Sequence, residues 1–519
     1  MAALFAEAAF GLPIQGGNQM GVQDRTTSRR SRRVRGTYAT IGAIVLALAL
    51  VACTTSSPVP PGLPLPGGTG WKQYPYTLND NPLFTFPYIE GKTTNQTDTW
   101  YIQGKVTGAN TGRDYAFITI YAKNRINGSI RADVYTLAIF PLDSTEYGTY
   151  TDTDIALDTA LNPSKLAAAT GYLDLAWAGN NTWKTRVDND NRLVPFEYDL
   201  DLHGSDSEGQ PMALVAGMVA HHAPAAPGPE PTPGLIRING QEGTGSYFQT
   251  GLEIDGTLTY DGVTEPVAGS IGHIDRQWFP LYAGAMMGPD ARDHGHDWGS
   301  IHLDDDSTLS LWRQYYRPNH NAVEDFTGAT RFFPGTESTE FAPDITVTPT
   351  SFVKWPSNVP NGFAPPAPNR YLMSAHVIDV PSWDLHLVGS PITIAPAHGL
   401  PVEYMSGPVN YAGTIAGEPT NGFGMSERTT ALYKKWELVD ILDVTVTNLA
   451  DAAFQPGGAT RGEMQTMVNQ LDAAVALGDN ATATQILTTQ LAPAVATLGS
   501  GEQAFLSELV QDIAVAPVS

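Results

Sequence analysis

The sequence GTLTYDGVTEPVAGSIGHIDRQW, residues 256–278, has the pattern of paired β-strands. Its first part, Gly256-TLTY, is a short alternating run bounded by Gly and Asp, as strands in a sandwich or barrel are. Further along, side chains alternate between two faces, so His273 and Asp275 share one face and Arg276 and Trp278 share the other. Either a catalytic element or an ion pair that closes a barrel fits this pattern.

A second hairpin with the same landmarks occurs later in the chain. Gly256, Tyr260, Gly262, Gly272, Asp275 and Arg276 recur as Gly407, Tyr411, Gly413, Gly424, Glu427 and Arg428. One inserted residue in the connecting loop reconciles the spacings. Two copies of one hairpin indicate two similar barrels in tandem, and a chance match in a Gly-rich chain is the alternative.

The sequence around these hairpins has the pattern of β-strands from Trp71 to about residue 437. Many short strands at hairpin spacing predict two barrels, residues 71–290 and 291–437. We expect strands at Ala116-FITIYA, Val134-YTLAIF, Phe196-EYDLDL and Thr308-LSLWRQYY, a helix at Asn162-PSKLAAAT, and a loop at His222-APAAPGPEPTPG.

In residues 445–519 the apolar residues recur at helical spacing instead. Thr460 and Glu463 form a capping box before an apolar stripe, and Gly478-Asp479-Asn480 ends that helix. Two more helices follow, the last with Phe505, Leu509 and Ile513 on one side. These stripes predict a small three-helix core rather than a cofactor site, and the segment is also a candidate surface for a protein partner.

The N-terminus has the pattern of an export signal. Six arginines precede an apolar run of about a dozen residues that ends at Cys53, the only cysteine. This pattern predicts a signal peptide over residues 1–53 and an exported bacterial lipoprotein, anchored to the outer face of the cell membrane through lipid on Cys53. A signal-anchor helix is the alternative, and the Pro/Gly-rich residues 54–70 are expected to be a tether.

The net charge of the chain and the absence of common catalytic motifs exclude several classes of function. A net charge of −24 repels nucleic acid, so DNA and RNA are excluded as partners. No nucleophile elbow, P-loop, H-E-x-x-H motif or complete G-x-G-x-x-G motif occurs. The histidines and aspartates of Asp293-HGHDWG could bind zinc, but no cysteine accompanies them, and we expect a solvated loop there. Asp304-Asp305-Asp306 is expected to be a hairpin turn, and no metal or cofactor is expected.

Two explanations remain open for the carboxyl of Asp275. If its face lines a cavity, burial raises the pKa, and Asp275 becomes a proton donor with His273 orienting a water. Alternatively, Asp275 and Arg276 each have an ion-pair partner in a barrel seam, with Glu427 and Arg428 doing likewise in the second barrel. The repeat favours the seam.

Aromatic residues on the strands near residue 300 form a candidate ligand wall. Trp298, His302 and Trp312 are spaced for one face, and Tyr315 for the other. Such a wall binds apolar ligands. Core packing explains the same spacing equally well.

Four motifs in order resemble the AttH/CrtC-like proteins, which include carotenoid 1,2-hydratases and kievitone hydratases. The matching stretches cover roughly residues 75–437 and are Thr99-WYIQGKVTGANTGRDYAFITIYAKN, Ser246-YFQTGLEIDGTLTYDGVTEPVAGSIGHIDRQW, Trp298-GSIHLDDDSTLSLWRQY and Tyr404-MSG with GFGMSER. The resemblance implies tandem lipocalin-like barrels and places Asp275 and Trp278 on the signature Asp and Trp of the family.

The chain departs from the hydratase pattern at three positions. His273 stands where those members have Tyr, Ser246 where they have an upstream His, and Ser406 where the usual residue is Glu. The second departure removes a candidate proton relay, so hydration of a carotenoid-like alkene is put in doubt.

We therefore expect a lipoprotein that binds an apolar ligand, such as a lipid or isoprenoid. The expected ligand contacts are Trp100, Trp278, Trp298, His302, Trp312, Tyr315 and Glu427. The alternative is an acid–base hydratase, lyase or isomerase acting on an isoprenoid or polyketide-like alkene, with Asp275 and His273 as its catalytic residues.

Overall fold

The structure, a computed structural model, describes residues 70–126, 128–238, 241–280, 294–316, 322–355, 369–393, 405–428 and 432–517. The predicted signal peptide, Cys53 and nearly all of the tether lie outside these residues. One compact unit comprises residues 64–186 and 194–519 and contains the site described below, while residues 187–193 group separately.

The first large sheet has 13 strands and curls into a half-barrel. Its strands are β3 (Thr97–Gly108), β4 (Asp114–Ile126), β5 (Ile130–Pro141), β6 (Gly148–Leu157), β7 (Leu166–Ala168), β8 (Asp174–Trp177), β9 (Asn181–Val187), β10 (Leu193–Ser205), β11 (Pro211–Ala220), β12 (Leu235–Ile238), β13 (Gln241–Thr250), β14 (Leu252–Tyr260) and β15 (Val263–Phe279), after a short ribbon of β1 (Tyr76–Thr77) and β2 (Thr85–Phe86). β15 lies in the middle and pairs with β3 on one edge and with β14 and then β13 on the other.

The second large sheet has nine strands and is the second half-barrel. It contains β16 (His294–Leu303), β17 (Thr308–Tyr316), β18 (Ala322–Phe333), β19 (Ser338–Ala342), β20 (Thr346–Pro349), β23 (His376–Val380), β24 (Leu385–Pro391), β25 (Met405–Ile415) and β26 (Glu418–Arg428), and a ribbon of β21 (Phe352–Lys354) and β22 (Tyr371–Met373) lies beside it. The all-β fold with two lipocalin-like half-barrels is confirmed, and each copy of the repeated hairpin is an antiparallel pair, β14 with β15 and β25 with β26.

Five α-helices follow the second sheet. They are α1 (Lys435–Asn448), α2 (Arg461–Ala476), α3 (Asn480–Ile486), α4 (Ala492–Val495) and α5 (Ser500–Val515), with a π-helical turn over Leu487–Leu491. The predicted capping box is present, since the Thr460 hydroxyl accepts from the Glu463 N–H and the Glu463 carboxylate accepts from the Thr460 N–H. The helical region begins ten residues earlier than expected, and no described helix is long and apolar enough to cross a membrane.

The helices share a core with the second sheet. Leu438 and Leu442 of α1 and Leu509 of α5 are buried in one cluster with Ile301 and Leu309 of the second sheet. The expectation of a separate three-helix core is therefore wrong, because the apolar stripes of the helices cover one face of the second sheet.

The predicted helix at Asn162-PSKLAAAT is also wrong. Leu166–Ala168 is a strand whose Leu166 pairs with Trp177 of β8. An isolated helix this short is only marginally stable, so pairing with the sheet edge prevails over the helix propensity of the alanines. The Pro-rich stretch after His222 is a loop, as expected.

Candidate functional site

β15 carries buried polar groups on both faces, and the two faces serve different purposes. On one face the fully buried Arg276 guanidinium lies 2.7 Å from the Asp98 carboxylate and 4.3 Å from the centre of the Trp100 ring. Burial alone would raise the pKa of Asp98, but Arg276 and Lys123 hold it below its usual value. This face is a structural ion-pair seam.

The second sheet contains an equivalent seam. Asp297 of β16 accepts from Arg428 of β26 and, at 3.1 Å, from Arg313 of β17. The ion-pair interpretation is thus confirmed for both repeated arginines. It is wrong for Asp275, which has no Lys or Arg within ion-pair distance among the described residues.

Asp275 lies on the opposite face of β15, where it is 5% exposed. Its Oδ1 accepts one hydrogen bond, 3.0 Å from Nε2 of Gln277. Burial raises the pKa of Asp275 to about 8, opposed by Gln277 and reinforced by repulsion from Glu427. The carboxyl group is therefore mostly protonated at neutral pH.

His273 lies two residues away on the same face and is fully buried. Its ring stacks on Phe248, with centroids 5.7 Å apart, and meets the edge of Trp298 at 5.9 Å. Neither ring nitrogen has a hydrogen-bond partner among the described residues. Burial, with a smaller contribution from His302, lowers the pKa of His273 well below its usual value, so the imidazole is neutral.

The second sheet supplies the opposite wall of the site. Trp298 and His302 of β16 alternate onto the face that meets the first sheet, and Trp298 pairs with Trp312 of β17. The hydroxyls of Thr250 and Thr308, one from each sheet, lie 2.9 Å apart. The two half-barrels thus meet across a mixed aromatic and polar interface.

A cleft of about 780 Å³ opens at one end of this interface. Its walls include Thr250, His302, Thr308 and Phe423, and the ring of His302 lies 6.3 Å from that of His273. The volume is within the usual range for small-molecule sites. His302 thus links the cleft to the buried pair on β15.

The structure brings together six of the nine predicted catalytic and ligand-contact residues. They are His273, Asp275, Trp298, His302, Trp312 and Glu427.

The other three predicted contacts lie elsewhere. Trp100 and Trp278 lie on the Arg276 face, where the Trp100 indole donates to the Glu90 carbonyl at 2.7 Å. Tyr315 alternates away from Trp312 and lies against Arg313. These three assignments to the ligand wall are wrong, because alternation on β3, β15 and β17 turns the side chains to the far face.

Sequence reasoning missed several neighbours of Asp275. Tyr101 packs on Trp298 with centroids 5.3 Å apart, and its hydroxyl donates to Gln103 at 3.0 Å. His296 was expected in a solvated loop, but it lies on β16 with Nε2 2.7 Å from Glu427. The sequence predicts that Tyr101 is a neighbour of Asp275 only if β3 is known to pair with β15 in the register that sets Tyr101 opposite Asp275.

Comparison with known proteins tests the predicted resemblance. No protein-family model and no curated protein sequence matches the chain. An AttH-like protein of Nitrosomonas europaea, 18% identical, superposes with a TM-score of 0.51, covering 67% of this chain and 97% of its own. The chain has the AttH-like fold.

Two further solved structures are similar at lower TM-scores. Kievitone hydratase of Nectria haematococca is 16% identical with a TM-score of 0.47, covering 72% of this chain and 98% of its own. CghA, solved with Sch210972, is 13% identical with a TM-score of 0.38, covering 72% and 95%.

Proposed function

We propose that the protein is an acid–base enzyme of the hydratase, lyase or isomerase type, acting on an apolar alkene at the interface of its two half-barrels. Asp275 is the proton donor and His273 the proton acceptor. The observation that carries this proposal is a buried carboxyl group with its pKa raised to about 8, beside a neutral imidazole whose two nitrogens have no partner in the part of the chain that the structure describes.

The two groups have the complementary states that such chemistry needs. A protonated carboxyl donates its proton to one alkene carbon, and a neutral imidazole takes a proton from water as its oxygen bonds to the other carbon. The result is net addition of water. If His273 instead removes a proton from a neighbouring carbon, the double bond moves.

The surroundings favour a cationic intermediate. Asp275 and His273, two residues apart on one strand face, have backbone positions about 7 Å apart, so both groups can act on neighbouring carbons of one bound molecule. The rings of Phe248 and Trp298 pack against His273, Tyr101 packs on Trp298, and aromatic faces stabilise positive charge. Apolar walls and few charges suit a hydrocarbon skeleton.

Ser246 replaces the upstream histidine of the hydratase pattern, so the proposal needs another imidazole. His302 of the second sheet is the candidate. Ser246 of β13 pairs with Gln277 of β15, so no upstream imidazole stands there. His302 lies 6.3 Å from His273 and lines the open cleft. In our proposal, His302 exchanges protons between the buried pair and solvent.

Deuterium transfer tests the enzyme proposal. We expect the full chain, incubated in D₂O with a panel of isoprenoid and polyketide-like alkenes, to place one deuterium on carbon in at least one compound that it binds, as detected by mass spectrometry. Heat-unfolded protein is the control. If every bound compound is recovered without deuterium, the protein is not this enzyme.

That negative result would favour an apolar-ligand carrier as the function. Trp298, Trp312 and Met425 form one buried cluster with Tyr101 and Ile118 of the first sheet, which is the apolar wall that a carrier needs. The interface between the two half-barrels would then bind an apolar ligand without converting it.

Export and anchoring form a separate proposal, motivated by the sequence before residue 54. We expect Cys53→Ser to abolish lipid labelling of the chain and to move it from the membrane fraction to the medium. Ser56→Ala, three residues downstream, is the matched control. Equal membrane association of the two variants would contradict anchoring through Cys53.

A further inference from the structure

Unpaired polar side chains line the second-sheet wall of the site in a regular order. Across β16 and β17, Ser300 pairs with Ser310 and Trp298 pairs with Trp312. The two hydroxyls, the Trp312 indole nitrogen and Nε2 of His302 are buried without a hydrogen-bond partner among the described residues. Buried polar groups are nearly always paired, so this concentration on one face indicates a surface that binds polar atoms of a ligand.

The serine pair lies between the open cleft and the proton donor. Successive same-face residues on a strand are about 7 Å apart, so His302, Ser300 and Trp298 span about 13 Å. His302 lines the cleft, and Trp298 packs near the acid. His273, from the opposite sheet, contacts the rings of both His302 and Trp298. Ser300 and Ser310 are buried and lie one same-face step from the cleft residues His302 and Thr308, on the side toward the acid.

These polar groups are neutral. Hydroxyls and indoles carry no charge, and burial lowers the pKa of His302 to about 4, so its imidazole is neutral as well. Lys105 lies over the ring of the cleft residue Phe423, but its ammonium is paired with Asp114 at 2.9 Å. The wall therefore suits a neutral hydrogen-bonding oxygen better than a carboxylate or a phosphate.

We propose that Ser300 and Ser310 bind a neutral hydroxyl or carbonyl oxygen of the ligand, so the substrate class is an oxygenated isoprenoid-like compound rather than a pure hydrocarbon. This proposal rests on the proposed function and narrows its substrate. A site built to hydrogen-bond an oxygen discriminates strongly against the analogue that lacks it, because its own buried groups then stay unpaired.

Matched probes test this inference by calorimetry on the full chain. We expect the wild type to bind farnesol at least tenfold more tightly than farnesene, the hydrocarbon, and more tightly than farnesoic acid. Each of Ser300→Ala and Ser310→Ala should weaken farnesol binding about three- to tenfold, and the double variant should lose the preference while keeping its farnesene affinity. Because the substitutions remove unpaired buried hydroxyls, thermal stability should stay equal or rise.

Ser426→Ala is the matched control, a buried serine on β26 with the opposite orientation, and it should keep the full preference. Equal affinities for farnesol and farnesene, no binding of either, or a preference that survives in the double variant would each overturn the inference. Asp275→Asn should retain the preference, since binding needs no proton donor. Absence of deuterium transfer by the wild type, together with an intact farnesol preference, would count against the enzyme proposal and leave this one standing.

Discussion

Asp275→Asn is expected to reduce turnover by about 10²- to 10⁴-fold, the usual contribution of a general acid, while leaving the fold intact. Asparagine has the shape of the protonated carboxyl and keeps an oxygen to accept from Gln277. Circular dichroism and the D₂O assay on the same preparation check both halves of this expectation.

The same variant should be more stable than the wild type at alkaline pH. The folded pKa of about 8 exceeds the unfolded value, so the folded state binds the extra proton and the wild type loses stability as pH rises from about 4 to 8. The full loss is on the order of 5 kcal/mol. Asparagine lacks this titration, so the stability of the variant relative to the wild type should rise steadily between about pH 4 and pH 8 and then level off.

Asp297→Asn is the matched control, another buried aspartate in the interior of the sheets. Burial tends to raise the pKa of Asp297, but Arg428 and Arg313 lower it below its usual value, so it is ionised at pH 5 and above. Its substitution should destabilise the protein throughout that range. If Asp275→Asn behaved in the same way, Asp275 would be a structural anion and not a proton donor.

Arg276→Met is expected to destabilise the protein by roughly 3–5 kcal/mol, the usual result of removing one partner of a buried ion pair. The guanidinium donates to Asp98 and to the Gly91 and Thr99 carbonyls, and methionine can pair with none of them. Lys123 alone would then face the Asp98 carboxylate. Urea unfolding, followed by tryptophan fluorescence, measures the loss.

Arg113→Met provides the surface comparison. Arg113 pairs with Asp143, whose side chain is 63% exposed, so its loss should cost no more than about 1 kcal/mol. Similar costs for Arg113→Met and Arg276→Met would show that the β15 seam does not hold the first half-barrel together.

Local patterns predicted most strands and the faces within them. The alternation that put His273 and Asp275 on one face and Arg276 on the other is confirmed, and so are Trp298, His302 and Trp312 as one wall. The capping box at Thr460 was equally local. Each of these depends on spacing within a few residues, which the sequence contains directly.

Contacts between distant strands could not be predicted. Trp100 and Tyr101 are neighbours in sequence, and only the register of β3 against β15 decides which one joins Asp275. Likewise, the two explanations of Asp275-Arg276 were posed as alternatives, whereas alternation assigns the seam to Arg276 and the buried site to Asp275. The meeting of the two half-barrels at Trp298 depends on tertiary packing.

Infrared difference spectroscopy of wild type against Asp275→Asn tests the protonation state of this carboxyl most directly. We expect the wild type at pH 6 to show the carbonyl stretch of a protonated, buried carboxylic acid that the variant lacks, and this band should disappear with a midpoint near pH 8. A difference spectrum that shows only an ionised carboxylate at pH 6 would contradict Asp275 as the proton donor.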